Sequence, residues 1–173
     1  LAAFGQAPQA SAVLLAEDSG GGSFDEVCAS AWLNLARRFA QFPIPLGCMA
    51  TALELGGMAD TAAVRAEAQA EALLGFLAHQ GLIAGDWPAL STECCAATPF
   101  EGAQYALAPH AGVVSFIRAV GEWVEPGDPL FEVHDPLDDR HSIVRAETAG
   151  VIYACERLRF AQPGLWLAKV AGA

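Results

Sequence analysis

Gly112-Val113-Val114 opens a stretch that continues through Val124-Glu125-Pro126-Gly127-Asp128-Pro129-Leu130-Phe131-Glu132-Val133. Further on, Gly150-Val151-Ile152 leads to Ala161-Gln162-Pro163-Gly164-Leu165-Trp166-Leu167-Ala168-Lys169-Val170. The second stretch copies the first, at an offset of 38 residues in the first block and 37 in the second, so one residue is lost between the blocks. Each copy reads strand, Pro-Gly turn, strand. Neither can bury its apolar face alone, so the pair is expected to fold as two similar β-hairpin units packed on each other. Asp135-Pro136-Leu137-Asp138-Asp139 marks the connection between them.

Working outward, residues 86–101 carry no periodicity and read as a linker. Before them lie two helices, each preceded by an apolar strand. Val13-Leu14-Leu15-Ala16 is the first strand, and Gly20-Gly21-Gly22 breaks it from Ser23-Phe24-Asp25-Glu26, a capping box. The helix it opens runs to about Ala40, with Val27, Trp32, Leu33, Leu35 and Phe39 as buried positions, and Phe42-Pro43-Ile44-Pro45 stops it. Met49-Ala50-Thr51-Ala52-Leu53-Glu54 reads as a buried strand. Asp60 or Thr61 caps a second helix through Gln80, with Val64, Leu73, Leu74 and Leu77 on its apolar side and Gly81 as the C′ residue. Strand, helix, strand, helix predicts part of an α/β layer with a mainly parallel sheet. The expected organisation is a partial α/β unit over residues 1–85, a linker at 86–101, and an all-β unit over 102–173.

The 173 residues carry 20 acids against 9 bases, a net charge of −11. A nucleic acid or an anionic membrane surface needs clustered Lys and Arg. Only Arg37-Arg38 and Arg157/Arg159 approach that, so no nucleic acid is expected. No uncharged apolar run is long enough to span a membrane. The five cysteines include no Cys-x-x-Cys. Cys28 and Cys155 sit among apolar residues and read as core thiols, and the reduced usage fits a cytoplasmic location. The chain opens on Leu1 without a basic segment, which suggests a piece of a longer protein rather than a signal peptide.

Few residues could carry chemistry. Glu54 ends an apolar strand and precedes Leu55-Gly56-Gly57. Ligands collect at the carboxyl ends of strands in open α/β sheets, although a solvent-exposed glutamate there is the plainer reading. Among the histidines, His79 near a helix C-terminus complements the dipole. His134 and His141 flank the repeat connection and could meet across a hairpin, although ordinary surface histidines are the plainer reading there, and no metal site built from His110, His134 and His141 is expected. Neither His-x-x-Glu nor His-x-x-x-His occurs, so this chain alone is expected to bind zinc weakly or not at all. No Gly-x-Ser-x-Gly, Walker loop or EF-hand spacing is present. The tandem hairpins resemble the lipoyl/biotinyl carrier barrel, but that carrier holds its cofactor on a lysine at the tip between the halves. The only lysine here is Lys169, inside the last strand, which excludes carriage while leaving a carrier-like barrel.

Residues 1–8, Ala52-Leu53-Glu54-Leu55-Gly56-Gly57, Gly81-Leu82-Ile83 and the two Gly … Pro-Gly series together resemble the second half of the succinylglutamate desuccinylase/aspartoacylase family of zinc hydrolases. The resemblance implies a hydrolase that cleaves the amide bond of a small-molecule N-acylated amino acid or diamine derivative. Its zinc polarises the carbonyl and activates a water, and Glu54 takes the water's proton and passes it to the leaving amine. The family's ligands, a His-x-x-Glu pair and a later His, precede the Glu-Leu-Gly strand. None is in this chain, so they are expected upstream of Leu1. The β domain is implied to limit access to the site. Arg37 and Arg38 could face a substrate carboxylate but match no family motif. Two rivals stand beside this reading. One is a non-catalytic binding or assembly module with a carrier-like barrel. The other is an adaptor of the export-machinery kind, whose long helical hairpins are not legible here. The resemblance leaves the acyl group, the amine and the oligomeric state open.

Overall fold

The computed structural model describes residues 10–15, 23–87 and 97–172. Residues 1–8, Ala16, Gly20-Gly21-Gly22 and Cys94-Cys95 lie outside the described residues.

The N-terminal part holds strand β1 (Val13–Leu15), helix α1 (Phe24–Arg38) and helix α2 (Ala63–His79). The Ser23 hydroxyl accepts the Glu26 N–H at 3.2 Å, so the N-cap read from sequence forms. At the far end of α2, Gly81 adopts φ +71. Its N–H donates to the Ala78 carbonyl, and the Leu82 N–H donates to Leu77, both at 2.9 Å. This is a Schellman termination, which requires a left-handed residue where Gly81 stands. The start of α2 differs from expectation. Ala62 is the N-cap and supplies no side-chain bond. Asp60 instead turns back onto Gly57.

Three further expectations are corrected here. Met49–Glu54 forms no strand, because no other described strand lies alongside to complete its ladder. The only parallel pairing among the described residues joins β1 to β2 (Ala97–Pro99), in register Val13↔Ala97 to Leu15↔Pro99, so the predicted α/β layer is reduced to two helices and this pair. Helix α1 buries none of its residues completely: Val27 and Leu35 are exposed, as is Cys28, which is therefore not a core thiol. On α2, Val64 and Leu74 are also exposed, and Gly75 and Phe76 are the buried residues.

The C-terminal part is where the core sits. Its strands are β3 (Ala103–Leu107), β4 (Gly112–Phe116), β5 (Trp123–Val124), β6 (Pro129–Asp135), β7 (Arg140–Arg145), β8 (Gly150–Cys155), β9 (Phe160–Ala161) and β10 (Trp166–Gly172). They form two four-stranded sheets, β3-β10-β8-β5 and β7-β6-β4-β9. Each repeat thus keeps its two long strands together and lends its short strand to the other repeat's sheet. Val114 N–H donates to Arg159 O at 2.8 Å, and Ile152 N–H donates to Glu122 O at 2.9 Å. These are the same bond in the two copies. Long strands also pair alike, Val114↔Val133 in one repeat and Ile152↔Val170 in the other.

The repeat is longer than its sequence signature. Strands β3 and β7 are equivalent too: Leu107 pairs with Trp166 as Arg145 pairs with Pro129. Both ladders shift register at the next step, between Trp166 and Ala168 and between Pro129 and Phe131. The core has the same symmetry, with Ala108 and Ala146, Val114 and Ile152, Leu130 and Leu167, and Val133 and Val170 all buried as matched pairs. The pairs Phe131/Ala168 and Val124/Ala161 exchange large for small, which keeps the interior filled without duplicating it.

The expected barrel does not close. The β3 and β7 edges are joined by a side chain instead of a ladder: Gln104 donates Nε2 to Arg145 O at 3.2 Å and accepts the Glu147 N–H at 2.8 Å. On the far edges, β5 and β9 are two-residue strands, too short to extend the pairing. Thr98 of β2 is buried and donates to Gly172 O at 2.7 Å, tying the small parallel pair to the end of β10.

Candidate functional site

Glu54 stands in an irregular segment and is exposed. Residues 55–60 form a built turn directly after it. Gln69 of α2 donates to the Leu55 carbonyl at 3.1 Å. Gly56 has φ +114, a conformation open to glycine, and a Cβ there would meet the Asp60 carboxylate at 2.8 Å. That carboxylate accepts the Gly57 N–H at 2.8 Å and pairs with Arg65 at 3.1 Å. Gly56 is therefore required by a latch onto α2, whereas a Cβ on Gly57 would meet Asp60 only at an ordinary 3.6 Å; Glu54 sits at the rim of this turn.

Arg37 and Arg38 occupy the last turn of α1, where cations complement the helix C-terminus, and Arg38 lies 5.6 Å from the Phe39 ring. His79 does the same for α2. His110 is buried with both ring nitrogens engaged, Nδ1 at 2.8 Å from Ala111 O and Nε2 at 3.0 Å from Ser142 Oγ. Lys169 projects from β10 between two rings, 4.3 Å from Trp166 and 4.9 Å from Tyr105, and not from a hairpin tip.

The structure does bring His134 and His141 together. They are directly opposed across β6 and β7, with rings stacked at 4.0 Å. Alternation along β6 turns Phe131 and Val133 into the core and leaves Glu132 and His134 on the outer face. Asp139, at φ +50 in the turn, places its carboxylate 3.5 Å from Nε2 of both histidines. Glu132 accepts from His141 Nδ1 at 2.6 Å, and this bond, aided by Asp139, holds the His141 imidazole above its ordinary range. Sequence reading paired the two histidines but missed Asp139 and Glu132. Asp139 reaches the site through a left-handed turn residue, and Glu132 through strand alternation.

His134, Asp139 and His141 are the single metal-capable group of three among the described residues. No such set surrounds Glu54, so the described residues there do not fit a zinc ion.

No family model matches the sequence, and no curated protein does. Solved structures do. A succinylglutamate desuccinylase/aspartoacylase family protein from Shewanella amazonensis superposes with a TM-score of 0.79 at 25% identity, over 91% of this chain and 45% of its own. One from Shewanella frigidimarina gives 0.80 at 23%, over 98% and 47%. A succinylglutamate desuccinylase from a Silicibacter species gives 0.67 at 23%, over 99% and 48%. The chain spans about half the length of each of these structures.

Proposed function

We propose that this chain, whose fold is that of the second half of succinylglutamate desuccinylase/aspartoacylase family proteins, is the proton-transfer and enclosing part of a hydrolase acting on the amide bond of a small N-acylated amino acid or diamine derivative. The observation that carries the reading is the likeness over 91% of the chain to a family protein, which includes the two helices and not the repeat alone.

Glu54 is the group this chain contributes to the reaction. A carboxylate accepts a proton from water near neutral pH and returns it to a leaving amine. The Leu55–Asp60 latch fixes where Glu54 stands while leaving its side chain free to reach a substrate. In this reading the two-sheet domain bounds the access route to Glu54. No step through zinc is assigned to the described residues, since they offer no ligand set beside Glu54. The three described cysteines are unpaired, in keeping with a reducing compartment such as the cytoplasm. No helix among the described residues is long and apolar enough to cross a membrane.

The test is hydrolysis. Full-length protein, supplied with zinc, is incubated with a panel of N-succinyl and N-acetyl amino acids and N-acetyl diamine derivatives, and amine release is monitored. Turnover of at least one member is expected. A folded protein that releases amine from none of them would favour a binding module.

A further inference from the structure

The geometry points to a transition-metal site on the β6–β7 hairpin, formed by Nε2 of His134, Nε2 of His141 and the Asp139 carboxylate, with Glu132 orienting His141. It lies on the two-sheet domain and is independent of the reading of Glu54.

Four observations converge. First, spacing: Asp139 Oδ1 is 3.5 Å from each Nε2, and the three ligand atoms lie within 4.8 Å of one another. Bonds of about 2.0–2.2 Å around a tetrahedral zinc put neighbouring ligand atoms about 3.3–3.6 Å apart. Second, His134 Nε2 is shielded from water and makes no hydrogen bond. A buried polar atom without a hydrogen bond is rare; the Asp139 carboxylate 3.5 Å away makes none with it, and a coordinated ion would satisfy both. Third, Glu132 accepts from His141 Nδ1 at 2.6 Å, which places the proton of the neutral ring on Nδ1 and leaves Nε2 able to bind; the two rings, stacked at 4.0 Å, turn their Nε2 edges toward a shared ion on binding. A carboxylate on the far nitrogen is the usual orienting device for a metal-bound histidine.

Fourth, the repeat supplies an internal control. The residues of the second copy that correspond to Glu132 and His134 are Lys169 and Ala171, set in the same register against β3 as the first pair against β7. The two-sheet fold is thus built without these side chains in one half, and nothing in its packing calls for them in the other. Two imidazoles and one carboxylate suit zinc, nickel or copper, whereas calcium and magnesium prefer all-oxygen sets. The remaining positions are open to water or to a ligand.

The test uses this 173-residue chain, which lacks the zinc ligands that the resemblance implies upstream, freed of metal and titrated with Zn²⁺ in a non-chelating buffer by calorimetry. One ion per chain is expected, with a raised thermal midpoint, since the ion binds the folded hairpin. Excess Mg²⁺ should not compete. His134→Ala should weaken binding at least about 100-fold, and Glu132→Gln about 10–100-fold, the range for loss of an orienting carboxylate. These side chains face outward, so the variants are expected to fold, and unfolding curves recorded without metal check this. Histidine ring resonances give a second readout. Paramagnetic Co²⁺ should shift those of His134 and His141 and leave His79 in place. No zinc binding, binding unaltered by His134→Ala, or Co²⁺ shifts confined to His79 would each overturn the assignment.

Discussion

At the scale of single residues, the Glu132–His141 contact makes the hairpin sensitive to pH. The hydrogen bond from His141 to Glu132 holds the imidazole above its ordinary value of 6.5. A histidine raised in this way adds stability that is complete below its unfolded value and is lost as pH rises through its folded value. The ring is accessible to solvent, so the contribution is small. In metal-free protein, Glu132→Gln should bring the His141 midpoint down towards 6.5, measured by ring-proton shifts. The stability gap between parent and variant should be widest on the acid side and should narrow above the parent's midpoint. An unmoved midpoint would mean that the contact does not form in solution.

At the scale of elements, the repeat makes glycines at different positions unequal. A Cβ on Gly150 would lie 1.9 Å from Ala171 O, inside the β8–β10 pairing, so strand backbone has to move. Gly164 has φ +80 in its Pro-Gly turn and nothing within 4 Å of such a Cβ. Gly164→Ala should therefore cost only the left-handed strain of about 1–2 kcal/mol. Gly150→Ala should cost more, above the usual overpacking cost of about 1–3 kcal/mol, because backbone rather than side chain is struck. Urea unfolding of both variants checks the order; equal losses would contradict it. Elements fixed by neighbours in sequence are legible in it: the Ser23 cap, the Gly81 termination and the Pro-Gly turns are local chemistry. Met49–Glu54 is not, because its apolar residues suit a strand but do not supply the strand's partner. The β3–β7 equivalence is hidden for the opposite reason. Ala103–Leu107 and Arg140–Arg145 look unlike, and their kinship lies in register, with only Ala108 and Ala146 marking it in sequence.

At the scale of the whole molecule, the buried core and the proposed proton-transfer residue occupy different parts of the chain. The matched pairs of the two sheets form the buried cluster, while Glu54 and its latch lie in a segment with little buried apolar surface. Sequence motifs place Glu54 because Glu-Leu-Gly-Gly is contiguous, whereas the Asp60–Arg65 and Gln69–Leu55 contacts that hold its turn depend on how α2 returns. In the proposed reaction, Glu54 moves the proton during amide hydrolysis. The most direct measurement is steady-state kinetics of Glu54→Gln in the full-length protein on whichever N-acylated substrate the parent cleaves. The swap is nearly isosteric, so fold and metal content should persist. The amide cannot take the water's proton, so kcat should fall by at least about 10²-fold while KM changes little. A Glu54→Gln protein that retains the parent's kcat would contradict the account and leave a binding module as the better description.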